Sequence, residues 1–386
     1  MNGGREQQLG HFVLVLHDAG GTVPPMLAIG EALAARAHAV TVLGQTSVGT
    51  RAREAGCEFI ALTGPDYATD RPLEEQLEAV LAVMTGRGPG DDLRSVIAAR
   101  GADAVIVDCN LAGAAAAAEA SACRSAILLH SMYKTYVDTW FGELWPYLAS
   151  AINDTRAVFG LDARESWTDI FLPHDRLYAA VPEVFDAPTA LAPPASLQHT
   201  GFLVPPADPS DRPSELGGPD EHAVLVSLST TDMGQGPLLQ TILDALDGQE
   251  LRALVTVGAA HLPSGLRVPA NVVVRDHVPH GAVLPHVDAV VTHAGLGTVA
   301  ASLSHGVPMV CTPISRDQPL NAERVVTVGA GETVPAAEAT PENVRAAVAK
   351  VLTGDRYRER AKRVASASAA AGGAAAVAQD LEALCR

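Results

Sequence analysis

The sequence lacks closely spaced cysteines and long apolar runs. Its five cysteines form no CxxC or CxxH pair, and they are Cys57, Cys109, Cys123, Cys311 and Cys385. Such a scattered, odd-numbered set excludes a disulfide framework and is typical of reduced, mostly buried thiols in a cytoplasmic protein. The first apolar run, Phe12–Leu16, is too short for a signal peptide, and no segment has the length of a membrane span. We therefore expect a cytoplasmic protein with no membrane partner.

Positive charge is also scarce. Lys and Arg number 27 against 44 Asp and Glu, which gives a formal net charge of −17. Nucleic acids and anionic membrane surfaces attract Lys- and Arg-rich faces, so neither is an expected partner. With 48% hydrophobic and 18% charged residues, the chain is not a disordered one. At 386 residues, two domains with separate cores are the default expectation.

The first half of the chain alternates apolar runs with helical patterns. The helical patterns are Pro24–Arg36, Arg51–Glu54 and the Ala-rich Ala114–Ala122. The predicted strands are Phe12–Leu16, Ala39–Leu43, Glu58–Leu62, Ala104–Val107 and Ser125–Leu129. Strands that are apolar throughout and alternate with helices predict a doubly wound parallel sheet.

The alternation lapses at 199–219, which has the Pro-, Gly-, Asp- and Ser-rich composition of a linker. It then resumes with strands predicted at Ala223–Leu228, Ala253–Val257, Val272–Arg275, Ala289–Thr292, Met309–Thr312 and Glu332–Val334. A single Ala-rich helix is predicted from Arg356 to about Arg386. We expect a first domain at 1–205, a linker at 206–216, a second domain at 217–370 and a C-terminal helix at 371–386. Ligands of such sheets bind at the carboxyl ends of the strands.

The segment Thr292–Asn321 is the most informative part of the sequence. A strand runs into His293, a small-residue turn through Gly295 and Gly297, and a helix that we expect to open with Thr298. The glycines permit close approach of a ligand, and the N-terminus of the helix suits a phosphate. Twenty residues later an acid and an amide, at 317 and 318, stand at the start of another helix. A phosphate site followed by hydroxyl-binding groups predicts a nucleotide-sugar ligand.

The complete string THAGLGTVAASLSHGVPMVCTPISRDQPLN resembles the donor-binding signature of family-1 type GT-B glycosyltransferases. The resemblance is greatest to bacterial enzymes that attach deoxysugars to antibiotics and other natural products, and it is strongest at 275–332. It implies an α/β protein of the GT-B class, with two Rossmann-like doubly wound domains facing across a cleft and the last helix crossing back to the first domain. It also implies an inverting hexosyltransferase that uses a dTDP- or UDP-sugar, a small hydrophobic acceptor and no cofactor.

The resemblance also implies roles for residues of the second half. The residues that it assigns to the donor are Ser229, Thr230, Val278, His293, Gly295, Gly297, Thr298, Asp317 and Gln318. His280 stands where members that use UDP-sugars often carry Gln, which favours a dTDP-sugar. The chain has no Asp-x-Asp pair of the metal-carrying type, which favours metal-independent transfer.

Each donor residue also has a structural interpretation. A histidine at a strand end can be a structural hydrogen-bonding residue, and the hydroxyls of Ser229 and Thr230 can belong to an ordinary turn. Asp317 or Gln318 can cap the helix that Pro319 opens. We expect Asn321, one turn beyond Asp317, to brace this loop.

The residues expected to act as catalytic base depart from the family pattern. Family members place a His in a Gly-His-x-x-Pro motif, and alignment of Gly21 and Pro25 with it puts Thr22 at the His position. Threonine is not a base near neutral pH. Asp108 matches the Asp that orients this His, but the alignment supplies no histidine for it. The candidates for the base are therefore Asp108, Asp18, His17, Asp138 and His130. His17 and Asp18 could instead cap the next helix, and Asp138 could be a solvated helix residue.

The acceptor region is predicted from a concentration of aromatic residues at 132–167, in a chain with only 4% aromatics. Such residues can line a pocket or form the core of a helical insertion. The candidate acceptor residues are Gly21, Thr22, His130, Trp140 and Trp145. Rival functions are a nucleotide-sugar epimerase, a non-catalytic sugar-nucleotide-binding homologue, and a C- or S-glycosyltransferase that does not need the usual His. The sequence leaves open the acceptor, the sugar, the linkage and whether the protein is a monomer or a homodimer.

Overall fold

The computed structural model describes residues 9–18, 21–64, 73–135, 141–187, 192–205, 212–218, 220–228, 233–258 and 265–386, without the side chains of 73–77 and 141–142. Its contacts divide the chain into two compact units. Unit 1 consists of Met1–Val181, Ala187–Leu203 and Ala371–Arg386, and unit 2 of Pro182–Asp186 and Val204–Ala370. The short segment Pro182–Asp186, which the sequence analysis placed in the first domain, groups with unit 2. Arg324 explains this grouping, because its guanidinium donates hydrogen bonds to the backbone carbonyls of Phe185 and Asp186.

Unit 1 is built on a seven-stranded parallel sheet. Its strands are β1 (His11–Val15), β2 (Ala39–Gly44), β3 (Glu58–Ala61), β4 (Ala104–Asp108), β5 (Arg124–Leu129), β6 (Arg176–Ala179) and β7 (Leu197–His199). Its helices are α1 (Val23–Ala34), α2 (Gly49–Glu54), α3 (Leu73–Thr85), α4 (Gly88–Arg100), α5 (Ala112–Glu119), α6 (Phe141–Val158) and α7 (Trp167–Phe171). The strand order is β3-β2-β1-β4-β5-β6-β7.

The apolar strands of unit 1 bury both of their faces. In β1, Val13 and Val15 enter the core that contains α5, whereas Phe12 and Leu14 enter the core that contains α1. This alternation follows from the two-residue period of a strand, and it explains why β1 reads as continuously hydrophobic. The short strands β6 and β7 were not predicted, because their sequences RLYA and LQH do not form an apolar run.

Unit 2 is built on a six-stranded parallel sheet in the order β10-β9-β8-β11-β12-β13. Its strands are β8 (His222–Ser227), β9 (Leu251–Thr256), β10 (Val272–Arg275), β11 (Ala289–Thr292), β12 (Met309–Cys311) and β13 (Gly331–Thr333). Its helices are α8 (Gly236–Leu246), α9 (His280–Val283), α10 (Leu296–Ser304), α11 (Gln318–Thr327), α12 (Pro341–Thr353) and α13 (Asp355–Ala370). The prediction of two doubly wound parallel sheets is therefore confirmed.

The end of the chain differs from the prediction of a single helix. The chain breaks after α13 and forms a separate helix, α14 (Gly373–Leu384), because Gly372 and Gly373 adopt φ values of 82° and 57°. Side chains of α14 join the core of unit 1 beside α1. Among the residues described, no helix combines the length and the hydropathy needed to cross a membrane.

Both sheets contain a point at which the strand order reverses, and such points are where open α/β sheets bind ligands. We call the carboxyl ends of β1 and β4 the first switch point. We call the carboxyl ends of β8 and β11 the second switch point.

Candidate active site

The loop after β11 is strained and braced. Ala294 adopts the left-handed backbone conformation, with φ of 65°, which is unfavourable for a non-glycine residue by about 1–3 kcal/mol. The fully buried side-chain amide of Asn321 donates hydrogen bonds to the Ala294 carbonyl at 3.0 Å and to Asp317 Oδ2 at 2.9 Å. Asn321 therefore joins the loops that follow β11 and β12, and the prediction that it braces this region is confirmed.

His293 lies at the second switch point as a largely buried, neutral side chain. Its exposed fraction is 8%. Burial lowers the pKa of His293 below its ordinary value, against the opposing effects of a hydrogen bond to the Ser227 backbone and of the Asp317 charge. Because Ser227 ends β8 and His293 follows β11, the imidazole joins the two strands of the switch point. A neutral imidazole carries a single N–H, which donates to the Ser227 backbone in one tautomer and is available to an anionic ligand in the other.

The two glycines of the turn have different roles. A Cβ on Gly295 would lie 2.4 Å from Nε2 of His293, so the absence of a side chain makes room for the imidazole. A Cβ on Gly297 would meet no atom within 4 Å. Helix α10 begins at Leu296, earlier than the predicted Thr298, so that Gly297 and Thr298 lie in its first turn. Gly297 is thus the position where a ligand can approach the backbone closely.

Asp317 and Gln318 do not cap α11 through their side chains. Asp317 occupies the N-cap position with φ of −80°, and its side chain makes no capping hydrogen bond. Oε1 of Gln318 accepts hydrogen bonds from the backbone N–H groups of Ile314 and Ser315 at 2.9 and 3.1 Å. Gln318 is almost fully buried and closes its own loop, whereas Asp317 is half-buried. Of the two, Asp317 is better placed to meet a sugar hydroxyl.

The other predicted donor residues lie on loops at the same edge of the sheet. Val278 is half-buried in the loop between β10 and α9. Nε2 of His280 lies 3.2 Å from the Ser227 hydroxyl, and burial, followed by nearby His277 and His305, lowers the pKa of His280. Ser229 and Thr230 lie outside the described residues.

The first switch point contains a buried carboxylate between two imidazoles. Asp108, at the end of β4, has Oδ2 3.5 Å from Nδ1 of His17 and Oδ1 3.9 Å from Nδ1 of His130. The Asn110 backbone N–H donates to Oδ1 at 2.9 Å. Burial raises the pKa of Asp108, but His17, His130 and this N–H outweigh it, so the net pKa is lowered and the carboxyl is ionised. The expectation that Asp108 has no histidine to orient is therefore wrong.

The imidazoles of His17 and His130 differ in solvent exposure. The side chain of His17 is 1% exposed, and that of His130, which follows β5, is 20% exposed. Only His130 therefore has substantial contact with solvent, and with any substrate that arrives from it.

The remaining predicted residues of the first loop have other partners. Thr22, at the family's His position, is buried and donates its hydroxyl proton to the His17 carbonyl at 2.6 Å. Asp18 accepts hydrogen bonds from Ser47 at 2.7 Å and from Arg51 at 3.2 Å. The N-cap position of α1 is occupied by Thr22, whose side chain makes no capping bond, and not by His17 or Asp18. Gly21 is exposed, with nothing within 4 Å of a Cβ placed there.

Both described tryptophans of the aromatic region belong to a hydrophobic core, whereas Tyr147 is exposed. Trp145 packs edge-to-face on Trp167, with ring centroids 6.3 Å apart, and joins the hydrophobic core beside it. Trp167 is fully buried and donates its indole N–H to the Cys109 carbonyl at 3.2 Å. Asp138 and Trp140 lie outside the described residues. A role for Trp145 in acceptor binding stays a prediction.

Sequence reasoning missed two groupings. It did not bring His17, Asp108 and His130 together, and it did not link His293 to Ser227. The signal was available in the strand order, because β1, β4 and β5 are neighbours and these three residues stand at or just after their carboxyl ends.

Comparisons of the sequence with known proteins identify a family model and several relatives that match part of the chain. Residues 240–384 match the family model "Erythromycin biosynthesis protein CIII-like, C-terminal domain". The demethyllactenocin mycarosyltransferase of Streptomyces fradiae is 33% identical over 162 residues, which are 42% of this chain and 35% of that protein. The 4'-demethylrebeccamycin synthase of Lentzea aerocolonigenes is 34% identical over 192 residues, which are 49% of this chain and 44% of that protein. The chain thus matches less than half of the length of these relatives.

Comparison of the structure extends the similarity to nearly the whole chain. The glycotransferase of kitacinnamycin superposes with a TM-score of 0.84 at 24% identity, covering 98% of this chain and 100% of the other. The glycosyltransferase VinC, solved in complex with dTDP, superposes with a TM-score of 0.72 at 17% identity, covering 97% and 99%. The GT-B fold and the predicted resemblance to natural-product glycosyltransferases are therefore confirmed.

Proposed function

We propose that this chain, a GT-B protein whose residues 240–384 match the family model "Erythromycin biosynthesis protein CIII-like, C-terminal domain", is an inverting glycosyltransferase. It transfers a deoxysugar from a nucleoside diphosphate, dTDP in preference to UDP, to a small hydrophobic natural-product acceptor. The observation that carries the proposal is the buried Asp108 carboxylate between His17 and His130 at the first switch point. A protein that only bound sugar nucleotides would not need an ionised acid with imidazole partners there.

The second switch point supplies the donor side. Cleavage of the anomeric C–O bond leaves a nucleoside diphosphate with growing negative charge, and preorganised donors stabilise that charge. The neutral His293 imidazole offers its single N–H in the tautomer that does not donate to the Ser227 backbone, and the open first turn of α10 offers backbone N–H groups and its positive dipole end. The sequence contains no Asp-x-Asp pair, and we infer that these groups act without a metal on the diphosphate. The dTDP bound in the similar VinC structure favours a thymidine nucleotide.

The first switch point supplies the acceptor side. In the proposed step the acceptor oxygen attacks the anomeric carbon, its proton passes to an imidazole, and the electron pair of the C–O bond leaves with the diphosphate. We assign the base to His130, because it is the more exposed of the two imidazoles that face Asp108. Asp108 would orient the imidazole and stabilise its charge, and His17 would hold the second carboxylate oxygen. The distance of 3.9 Å between His130 and Asp108 is one that a bound substrate can shorten.

The test is transfer itself. The wild-type protein is incubated with dTDP- and UDP-deoxysugars and a panel of polyketide-like and aromatic aglycones, and products are identified by mass spectrometry and by NMR of the anomeric centre. We expect a conjugate with inverted anomeric configuration, and loss of turnover in His130→Gln. Retained configuration would exclude the single-displacement mechanism, and full turnover in His130→Gln would exclude His130 as the base.

One observation favours the second candidate, a non-catalytic homologue that binds sugar nucleotides. The usual His position is occupied by Thr22, whose hydroxyl is engaged by its own loop. This alternative predicts dTDP binding without either transfer to any acceptor or hydrolysis of the donor.

A further inference from the structure

Three side chains with metal-binding atoms converge at the ends of β4 and β5. They are Asp108, Cys109 and His130, and their ligand atoms all lie within 4.8 Å of one another. Sγ of Cys109 lies 3.7 Å from Nδ1 of His130, and Oδ1 of Asp108 lies 3.9 Å from the same nitrogen. The set combines a carboxylate, a sulfur and an imidazole, all of which are ligands that zinc accepts.

The spacing agrees with a tetrahedral ion. With metal–ligand bonds of about 2.0–2.3 Å, the edges of a tetrahedral zinc site measure about 3.3–3.7 Å. The distance between Sγ and Nδ1 is already at this value, and the distance between Oδ1 and Nδ1 has to shorten by about 0.5 Å. We propose that Asp108, Cys109 and His130 form a binding site for zinc or a similar divalent transition metal ion, which leaves a fourth position open to water.

Contacts behind the three ligands hold two of them in place. The second carboxylate oxygen of Asp108 faces His17, and the backbone of Cys109 is held by the indole of Trp167. Partners of this kind orient ligands and raise metal affinity. His130, with 20% of its side chain exposed, provides the path of entry from solvent. On binding, the Cys109 thiol gives its proton to the solvent and the thiolate becomes the ligand.

The proposed ion would control the proposed transfer reaction without taking part in it. An imidazole bound through Nδ1 carries its remaining proton on Nε2 and has no free lone pair to accept another. Zinc at this site would therefore inhibit turnover reversibly, and a chelator would restore it. The binding itself needs neither donor nor acceptor, so it can be measured even if the proposed function is wrong.

The test is titration of the full-length protein with Co²⁺ under reducing conditions, followed by absorption spectroscopy. We expect one equivalent of Co²⁺ to produce a thiolate-to-cobalt charge-transfer band in the near ultraviolet, and one equivalent of Zn²⁺ to abolish it. Cys109→Ser should remove the band, and His130→Gln should weaken binding at least about 100-fold, because even outer contacts of a metal site contribute 10- to 100-fold. The matched control, Cys385→Ser at an exposed thiol, should leave the band intact.

The circular dichroism spectrum and the thermal midpoint of each variant verify folding. If Cys109→Ser fails to fold, Co²⁺ binding by His130→Gln and by the control His305→Gln decides instead. The proposal expects weaker binding in His130→Gln alone. A stoichiometric Co²⁺ complex without a thiolate band, or a band that survives Cys109→Ser, would overturn the proposal. Chelator-reversible inhibition by Zn²⁺ that persists in Cys109→Ser would assign that inhibition to another site.

Discussion

The two switch points have the same topology and opposite electrostatics. In unit 1 an ionised carboxylate, Asp108, is buried with imidazoles on both of its oxygens. In unit 2 the buried titratable group is His293, and burial keeps it neutral. A proton acceptor needs an anion to stabilise its positive charge, whereas a diphosphate site needs donors that stay in place. The comparison teaches that the same kind of strand order can support either a proton acceptor or a diphosphate site. Which of the two it supports depends on the residues at the ends of the strands.

The two sites also differ in how their geometry is maintained. At the first switch point, two imidazoles and the Asn110 backbone N–H hold Asp108. At the second, the arrangement depends on the backbone: Gly295 leaves space for His293, and Asn321 holds the strained carbonyl of Ala294. Substitutions at the two switch points should therefore have different effects. Those that change charge in unit 1 should impair catalysis, and those that change steric fit in unit 2 should weaken nucleotide binding.

The largest effect is expected from Asp108→Asn. The amide cannot stabilise a protonated imidazole, so kcat should fall by about 10²–10⁴-fold. The affinity for dTDP should stay within twofold of the wild type, because Asp108 belongs to unit 1 and the proposed nucleotide site to unit 2. Steady-state kinetics and calorimetry measure the two quantities. Asp91→Asn, on the surface of α4, is the control and should change neither; equal losses of turnover and affinity in Asp108→Asn would contradict the separation.

A smaller effect is expected from His293→Ala. Loss of one hydrogen bond to a charged diphosphate is worth about 1.5–3 kcal/mol, so the Kd of dTDP should rise about 10- to 100-fold. His222→Ala, an exposed histidine of the same unit, should leave the Kd unchanged.

The pH dependence of dTDP affinity, compared between the wild type and His293→Ala, tests the charge of His293. Because burial lowers the pKa of His293 below 6.5, the imidazole gains its proton only at more acidic pH. The ratio of the wild-type and His293→Ala affinities should therefore stay constant from pH 8 to pH 6.5 and change only below that range. A ratio that rises as the pH falls from 7.5 to 6.5 would show a histidine with an ordinary pKa.

The two glycines of the α10 turn provide a matched pair. In Gly295→Ala the new methyl would fall 2.4 Å from His293, so unit 2 should lose about 1–3 kcal/mol of stability and dTDP affinity should fall. In Gly297→Ala the methyl meets no protein atom, so stability should be unchanged or raised by up to about 1 kcal/mol. Affinity should nevertheless fall in Gly297→Ala if a phosphate approaches this backbone. Thermal unfolding with and without dTDP measures both; unchanged affinity in Gly297→Ala would move the phosphate away from the turn.

The smallest effect is expected from Glu382→Gln, which tests unit 1 away from its switch point. The carboxylate of Glu382 accepts hydrogen bonds from Arg36 at 2.6 and 2.8 Å and lies 2.7 Å from Nε2 of His38. These contacts, with Arg36 first, lower the pKa of Glu382 to about 2. Because Arg36 is partly exposed, we expect a loss of only about 1 kcal/mol at neutral pH.

The acid dependence of Glu382→Gln has a definite sign. A carboxylate with a depressed pKa stabilises the fold above its unfolded value near 4.5 and loses this contribution as the pH falls towards 2. The difference in stability between wild type and variant should therefore be constant above about pH 5 and shrink below it. A difference that grows on acidification would contradict the assignment. Transfer and dTDP affinity should be unaffected at pH 7.

Most of the fold could be predicted from the sequence, because strands that are buried on both faces form recognisable apolar runs. A strand such as β11, AVVT, is buried at all of its positions, and its predicted bounds agree with the structure. The break between α13 and α14 was missed although Gly372 and Gly373 marked it. The brace from Asn321 could be predicted, because Asp317 lies one turn before it on the chain.

The grouping around Asp108 could not be predicted by the same means. His17 and Asp108 are distant in sequence, and only the pairing of β1 with β4 brings them together. Alignment with a family motif directed attention to Thr22, although two other histidines flank the carboxylate. The spacing of residues in a motif indicates local structure, whereas the cluster of His17, Asp108 and His130 depends on the order of the strands in the sheet.

The most direct test of the central claim is calorimetric titration of dTDP into the wild-type protein, Asp108→Asn and His293→Ala, each with and without EDTA. We expect micromolar binding by the wild type and by Asp108→Asn, unaffected by EDTA, and binding at least 10-fold weaker in His293→Ala. If the wild type binds neither dTDP nor UDP, or if both variants lose affinity equally, the assignment of the donor to the second switch point is contradicted.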